Sequence, residues 1–383
     1  MVLKTEKNHK TANLKLVKQS NLTLVFNFIN ANQPVSRASI AHATGLSPTT
    51  VSSLVDELIL ENMVEETGMG KLSGSGRKPV LLEVKAHGGC VVAVEMKEKS
   101  IELEVFDLAG KSKAFATCDI EDYTDIGNII ADEVIKLIDG FGRLLGICVG
   151  VPGVIDRKTR HVMSTLIPIS SDNEFFKILR RRFPDVKIKL GNESSYCAYI
   201  EKTESKKEIH SLVYIDINVG IGAGIILEDR IFTGAFGNAG EFGHVSVDIN
   251  GKVCKCGNRG CLEALAGIPA ICEAAEVSDI SEIDMSDENT VSKLSGICRY
   301  IASGINNIIN MINPEAVVIG GEITKLGNVF LEKIRREFEL IRLKPDMENF
   351  SLEFSNVLGN PVTRGGGRYL LDRIFEDGDF ITE

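Results

Sequence analysis

One short segment, GHVSVDINGKVCKCGNRGCLE at positions 243–263, constrains the fold of this chain more than any other part. It contains His244, Cys254, Cys256 and Cys261, which are nitrogen and sulfur ligands of the number and type that a tetrahedral structural zinc ion takes. Two glycines before the last cysteine permit a tight loop that brings three thiolates to one point. We therefore predict a structural Zn²⁺ site, because four protein ligands leave no position for a catalytic water. The alternative is three free thiols.

The remaining six cysteines are scattered along the chain, and nine cysteines in total is an odd number. An odd count without an export signal disfavours a disulfide framework. The N-terminus is basic and lacks the apolar region that a secretory signal needs. The longest uncharged apolar run, residues 144–155, is shorter than the roughly 20 residues of a membrane span. We therefore expect buried thiols, no membrane partner and a location in the cytosol.

Charge is distributed unevenly along the 383 residues. Residues 1–85 carry ten basic and seven acidic side chains, whereas the remainder carries 33 basic and 46 acidic ones. Contacts to phosphate depend on local lysine and arginine rather than on the net charge of the whole chain. A polyanionic partner is therefore expected to bind the first 85 residues, although a solvated lysine-rich tail is the alternative.

The first 60 residues show helical periodicity with clear boundaries. An apolar face at Leu22, Val25, Phe26 and Ile29 predicts a first helix. A second helix, SRASIAHAT, begins at a capping serine and stops at Gly45, a residue suited to the left-handed conformation at a helix end. Two short helices joined by a tight turn are typical of a helix-turn-helix.

A third helix begins at Ser47-Pro48, where a capping hydroxyl precedes a proline at the first helical position. Two strand-like runs with a Gly/Ser-rich loop between them follow and predict a basic wing. We predict that double-stranded DNA is bound here, and the alternative is a small helical docking domain. The candidate DNA-binding residues are Ser36, Arg37, Ser47, Thr49, Thr50, Ser52, Ser53, Arg77 and Lys78.

From Cys90 onwards, strand and helix patterns alternate in two successive series, which indicates an α/β body with two lobes. The body contains the motifs GVPGVID at 150–156, VGIGAGI at 219–225, GNAGEFGH at 237–244, CKCGNRGCLE at 254–263 and NPEAVVIGGE at 313–322. These motifs resemble those of the ROK family, which groups sugar-responsive bacterial repressors with sugar kinases. The resemblance runs from end to end of the chain and points to the transcriptional-regulator branch.

The resemblance implies a winged helix-turn-helix followed by a two-lobed actin-like (ribonuclease H-like, sugar-kinase-type) α/β body. The expected domains are 1–85 for DNA binding with a basic N-terminal tail, 86–190 for the first lobe, completed by a C-terminal helix near 365–383, and 191–364 for the second lobe with the zinc loop. It also implies that a carbohydrate effector is bound by Glu241, His244, Glu263, Asn192, Glu193 and Gly153. Carboxylates suit this role, because they accept bidentate hydrogen bonds from neighbouring hydroxyls.

The family's kinases need two phosphate-binding turns and an aspartate base, and this chain departs from that pattern. The first turn, Asp-X-Gly-Gly-Thr in the family, is replaced by residues 95–99, EMKEK, which offer no glycine or hydroxyl. The base position holds Glu193, whose side chain is one methylene longer than that of aspartate. The second turn, residues 220–224, is intact. We therefore expect no catalytic residue and no use of ATP.

These observations together predict a sequence-specific DNA-binding repressor of carbohydrate-utilisation genes that is controlled by a sugar. We expect a homodimer on a palindromic operator, and the sequence leaves open whether two dimers form a tetramer. The alternatives are an ATP-dependent sugar kinase with an appended DNA-binding domain and a DNA-binding protein whose sugar pocket is vestigial. The segment 164–171, STLIPISS, lacks the Asn and Trp of the kinases' sugar site, so the sugar itself is not identified.

Overall fold

The computed structural model describes residues 3–69, 78–343 and 350–378, with side chains from residue 16 onwards. The chain divides into two compact units. The first unit comprises Met1–Val149, Glu174–Leu190 and Gly366–Glu383, and the second comprises Gly150–Asn173 and Gly191–Gly365. Residues 150–173, which the sequence places in the first lobe, are thus part of the second unit.

Three helices and a small sheet form the head of the first unit. The elements are α1 (Leu3–Asn32), β1 (Val35–Ser36), α2 (Arg37–Thr44), α3 (Pro48–Leu60), β2 (Val64–Met69) and β3 (Val80–Val84). Strand β3 lies between β1 and β2 and is antiparallel to both. The basic N-terminal tail predicted from the sequence is part of α1, which begins at Leu3.

Local capping explains why α2 and α3 begin and end where they do. Ser36 Oγ accepts a hydrogen bond from the Ser39 amide at 3.2 Å, and Ser47 Oγ accepts one from the Thr50 amide at 3.1 Å. Gly45, with φ of 70°, ends α2 in the left-handed conformation that glycine adopts without strain. The caps and the helix stop predicted from the sequence are confirmed.

The body continues the alternating pattern of strands and helices. Up to residue 192 its elements are β4 (Gly89–Met96), β5 (Ser100–Asp107), β6 (Ser112–Asp119), α4 (Ile126–Leu137), β7 (Arg143–Val151), β8 (Val154–Ile155), β9 (Val162–Met163), α5 (Phe175–Arg182) and β10 (Lys187–Asn192). The larger sheet of this part has the strand order β10-β7-β4-β5-β6, and β8 pairs with β9. Strand β4 is buried along its whole length, as is typical of a sheet covered on both faces.

The rest of the body forms a second five-stranded sheet with helices. Its elements are α6 (Glu193–Glu204), β11 (Leu212–Ile217), β12 (Ile221–Leu227), β13 (Arg230–Ile231), α7 (Leu262–Ala266), α8 (Ile268–Ala275), α9 (Glu288–Lys293), α10 (Ser295–Ile312), β14 (Ala316–Gly320), α11 (Gly327–Ile341), β15 (Ser351–Phe354) and α12 (Pro361–Asp377). The strand order is β13-β12-β11-β14-β15, with β11 antiparallel to β12 and parallel to β14. Val213, Ile215 and Ile217 of β11 lie in one buried cluster with apolar residues of α8, α10 and α11.

Helix α12 begins in the second unit and ends in the first, where it packs against α1. The rings of Phe26 in α1 and Phe375 in α12 are 4.8 Å apart with an interplanar angle of 54°, and both side chains are buried. The Asn27 amide also donates a hydrogen bond to the carbonyl of Phe375 at 3.4 Å. The first helix of the head is thus held against the last helix of the chain. No helix among the described residues is long and apolar enough to cross a bilayer.

We predict that Phe375→Ala lowers the free energy of unfolding by about 3–5 kcal/mol, because it removes a buried ring and its aromatic partner from Phe26. Urea denaturation monitored by circular dichroism would measure the loss. Phe236→Ala is the matched control, since Phe236 is 81% exposed and its truncation should cost no more than about 0.5 kcal/mol. Equal unfolding curves for the two variants would contradict the packing of α1 on α12.

Candidate effector and metal site

The predicted DNA-contacting side chains of the head differ in their hydrogen bonds and in their exposure to solvent. The hydroxyls of Ser36, Ser47 and Thr50 take part in the caps of α2 and α3, and those of Ser47 and Thr50 lie 2.8 Å apart. Thr49 and Ser53 are exposed on α3, opposite its buried residues. The described part of the chain therefore presents small hydroxyl side chains on the outer face of α3. Ser52 is half-buried, Lys78 is exposed, and Arg77 lies outside the described residues.

Arg37 holds the head together in a way that sequence reasoning missed. Its guanidinium forms ion pairs with Asp56 of α3 at 2.8 Å and with Glu66 of β2 at 3.2 Å. The arginine therefore ties the start of α2 to α3 and to β2. No local pattern reveals these pairs, because the partners are 19 and 29 positions away in sequence.

Two of the predicted effector residues lie at the two ends of a 3-10 turn beside β12. Gly240 brings this turn close to the strand, since its carbonyl accepts a hydrogen bond from the Ala223 amide at 2.8 Å. Glu241 precedes the turn and His244 ends it, with 4.0 Å between the Glu241 carboxylate and His244 Nε2. Burial raises the pKa of Glu241, the charge of His244 opposes this, and nearby Glu263 adds to it. The two side chains are half-exposed and available to a polar ligand.

Glu263 is the third member of the group that includes Glu241 and His244, and it lies in the first turn of α7. One of its oxygens, Oε2, accepts a hydrogen bond from the Ile221 amide at the start of β12, at 3.2 Å. The same oxygen lies 3.1 Å from the point that a Cβ on Gly220 would occupy. Glu241, His244 and Glu263 are therefore assembled around the beginning of one strand.

The other three predicted effector residues are Asn192, Glu193 and Gly153. The Asn192 side chain accepts from the Ser194 amide at 2.9 Å, which caps α6, and donates to the Gly153 carbonyl at 3.0 Å. Its amide is thus used in holding the GVPGVID loop to the start of α6, a role that the sequence did not reveal. Glu193 is in the first turn of α6 and is half-buried.

The glycines of the second phosphate-type turn have a packing role in this structure. A Cβ at Gly224 would lie 1.9 Å from the carbonyl oxygen of Ser194, and one at Gly222 would lie 2.9 Å from the Ser194 hydroxyl. Helix α6 therefore packs directly on the backbone of β12, where no side chain fits. The presence of these glycines is explained without a bound phosphate.

The first phosphate turn of the kinases is closed by side chains in this chain. The Lys97 ammonium forms ion pairs with Glu95 at 3.2 Å and with Glu102. The turn is tight, since the Lys97 amide donates to the Ser100 carbonyl at 2.9 Å. Burial acts to lower the pKa of Lys97, but the hydrogen bonds and charges of Glu102 and Glu95 outweigh it and raise the pKa. The cation that could attract a phosphate is thus already paired with two carboxylates.

The four predicted metal ligands come together in the loop after the 3-10 turn. The ligand atoms of His244, Cys254, Cys256 and Cys261 all lie within 4.8 Å of one another. The Cys256 and Cys261 sulfurs are 3.7 Å apart, and Cys254 Sγ is 3.8 Å from His244 Nδ1. Tetrahedral zinc with bonds of 2.0–2.3 Å needs ligand separations of about 3.5–3.8 Å. The donor set and its spacing therefore fit a metal ion.

This cluster joins the metal loop to the effector residues through His244. Nδ1 of the imidazole faces Cys254, whereas Nε2 faces Glu241. Burial raises the pKa of the Cys261 thiol to about 12, so metal binding there would release a proton. A ligand on one ring nitrogen commonly fixes the orientation of the other. A metal held here would therefore orient the face of His244 that a sugar hydroxyl could approach.

The fold and the site define a two-lobed α/β body of the sugar-kinase type, preceded by a helical head. A family model described as "ROK family" matches residues 91–357, and this chain belongs to the ROK family. A xylose repressor of Caldicellulosiruptor bescii is 31% identical over 92% of this chain and 96% of its own length. An N-acetylglucosamine repressor of Escherichia coli is 27% identical and covers 84% of this chain and 85% of its own length.

Solved structures show the same fold. A ROK family transcriptional regulator, a homologue of the E. coli Mlc protein, is similar with a TM-score of 0.81 at 23% identity, covering 95% of this chain and 98% of the other. A ROK glucokinase from Streptomyces griseus has a TM-score of 0.61 at 21% identity, covering 73% of this chain and 99% of the other. The fold class, the family and its regulator branch predicted from the sequence are confirmed.

We predict that Cys256→Ser reduces the metal content of the purified protein and lowers its melting temperature, because three ligands hold a metal less tightly than four and metal binding contributes to folding. Elemental analysis and thermal unfolding with and without a chelator would measure both effects. Cys118→Ser is the control, since Cys118 lies in β6 and is not one of the clustered ligands. A full complement of metal in Cys256→Ser would contradict the four-ligand site.

Proposed function

We propose that this protein is a DNA-binding transcriptional repressor of carbohydrate-utilisation genes, and that a sugar bound to the ROK body controls it. Relatives that are named xylose repressor and N-acetylglucosamine repressor support this class of protein. The head supplies the DNA-binding part, with Thr49 and Ser53 facing the major groove from α3 and Lys78 contacting phosphate beside the wing. Arg77 is proposed as a further phosphate contact.

One observation favours a sugar sensor over a sugar kinase. Lys97 is paired with Glu95 and Glu102 in the turn where a family kinase would bind phosphate, whereas Glu241, His244 and Glu263 are assembled around the start of β12. Phosphoryl transfer depends on positioning and neutralising the phosphates, and a turn that presents carboxylates does the opposite. We therefore propose that ATP is not a cofactor and that no residue is catalytic.

The effector is proposed to be a saccharide. Glu241 and Glu263 would accept hydrogen bonds from its hydroxyls, and His244 Nε2 would make a third contact. Asn192 and Gly153 would act by holding the start of α6 and its loop, and Glu193 would contact the ligand from the first turn of that helix. A bound sugar would thus contact both the group of Glu241, His244 and Glu263 and the start of α6, which all lie next to β12.

The metal is proposed to be Zn²⁺ with a structural role. His244, Cys254, Cys256 and Cys261 would hold it, and their separations suit tetrahedral zinc. Zinc would supply a rigid cross-link for a loop that otherwise consists of turns. Because His244 belongs to both the metal set and the effector set, an ordered metal loop is a condition for sugar binding in this proposal.

Regulation would follow from a shift in population between two states of a homodimer. Two copies of α3 would contact half-sites of a palindrome separated by about one DNA turn or a multiple of it. A sugar that favours the state with the wrong separation would weaken operator binding. In this proposal, residues 1–85 bind DNA. The first lobe consists of residues 86–190 and 365–383, and the second lobe consists of residues 191–364. The protein would act on DNA in the bacterial cytosol.

The test of this function is selection of fragmented genomic DNA by the purified, metal-loaded full-length protein at near-physiological salt, followed by sequencing of the retained fragments. We expect enrichment of a palindrome next to carbohydrate genes, and release of that DNA by one member of a sugar panel. No enrichment with or without sugars would reject the repressor. Sugar-dependent turnover of ATP by the same preparation would favour the kinase instead.

We predict that Glu241→Gln raises the sugar concentration needed for a response by about tenfold to a hundredfold, since a hydrogen bond to a charged group contributes about 1.5–3 kcal/mol. Sugar titrations of operator binding by fluorescence anisotropy would measure the change. Glu288→Gln, at an exposed position in α9, is the control and should titrate like the wild type. An unaltered titration of Glu241→Gln would remove Glu241 from the effector site.

A further inference from the structure

An exposed leucine, Leu166, lies close to the proposed effector carboxylate of Glu263. Leu166 is 43% exposed, although the next residue, Ile167, is buried. Its Cδ1 atom lies 3.9 Å from the point that a Cβ on Gly220 would occupy, and Glu263 Oε2 lies 3.1 Å from the same point. A methyl group and a carboxylate oxygen thus border the same small space at the start of β12.

The loop that carries Leu166 is held firmly at several points. Ser164 Oγ accepts hydrogen bonds from the amides of Leu166 and Ile167, at 3.1 and 3.2 Å. The side chains of Ile167 and Ile169 are buried and anchor the loop in the second unit. The Asn173 amide donates to the carbonyls of Val162 at 3.2 Å and Ser170 at 2.6 Å, which ties the two ends of the loop together. Leu166 is therefore presented from a fixed position.

We propose that Leu166 determines effector specificity by contacting an apolar group of the sugar next to the hydroxyl that Glu263 binds. This inference rests on the proposed function. The group would be a ring carbon without a hydroxyl, or an alkyl or aryl substituent. Leucine offers no hydrogen bond, so a hydroxyl placed against it would lose its water and gain no partner. An apolar group at the same place would gain affinity by burying both surfaces.

The contact divides the site into two kinds of surface. Glu241, Glu263 and His244 select hydroxyls through directional hydrogen bonds, so a sugar that lacks the matching hydroxyl loses that contact. Leu166 has the opposite preference, because it lowers the affinity for a sugar with a hydroxyl at this place and raises the affinity for one with an apolar group there. Sugars that differ in a single hydroxyl can therefore be separated by a large factor even though the site lacks a tryptophan.

The test compares ligand pairs that differ by one group. Full-length, metal-loaded protein would be titrated by calorimetry with D-xylose, D-glucose, N-acetylglucosamine, the monodeoxy derivatives of D-glucose, and methyl and phenyl β-D-glucosides. We expect at least one apolar derivative or analogue to bind more tightly than its parent, by roughly fourfold for each methyl or methylene group that is buried. Leu166→Asn should reverse this order, because its amide can bind the hydroxyl of the parent sugar.

Leu358→Asn is the matched control, since Leu358 is an 82% exposed leucine of the same unit and its replacement should leave the order unchanged. Metal content and melting temperature would show that each variant is folded. If the wild type binds sugars and Leu166→Asn ranks the whole panel as the wild type does, the role of Leu166 is rejected while the sensor proposal stands. If the wild type binds no member of the panel, both proposals fail.

Discussion

Direct contact between backbone segments at β12 is the constraint on which the candidate site depends. On one side, Gly224 leaves space for the carbonyl of Ser194, so that α6 packs on the strand. Along the strand edge, a Cβ at Gly240 would lie 2.1 Å from the carbonyl oxygen of Ala223, so the turn that carries Glu241 fits only with glycine at this position. Residues from three separate parts of the sequence are fixed relative to one strand because no side chain separates them from it.

The same constraint explains which parts of a kinase-like pattern persist in this chain. The glycines of the second phosphate-type turn are needed for packing whether or not phosphate binds, so their presence says little about catalysis. The first turn is a hairpin connection between β4 and β5 with no such requirement. There Lys97 and Glu98 stand in place of the two glycines, and Lys97 is paired with Glu95 and Glu102. Lys97 belongs to the first unit and Glu241 to the second, so one function can be lost without disturbing the residues of the other.

What the sequence could predict was mainly local. The capping serines, the stop at Gly45 and the close set of metal ligands depend on residues within about 20 positions of each other, and the structure places all of them as expected. The sequence missed interactions over longer distances. The ion pairs of Arg37 and the position of Leu166 beside Glu263 depend on how distant segments pack, and no periodicity or motif encodes that. The sequence also did not reveal that the Asn192 side chain caps α6 and bonds Gly153, and its contact with sugar stays a prediction.

Helix α12 belongs to both units, and a different contact holds each of its ends. At its start, Gly365 leaves no space for a Cβ against the carbonyl of Tyr196, which lies one turn after Glu193 in α6. At its end, the Phe375 ring packs on Phe26 of α1. The helix between them is continuous, and a helix transmits displacement along its axis because each turn is hydrogen-bonded to the next. In the proposed function, a sugar acts on the head only if it favours one of two packings of these elements.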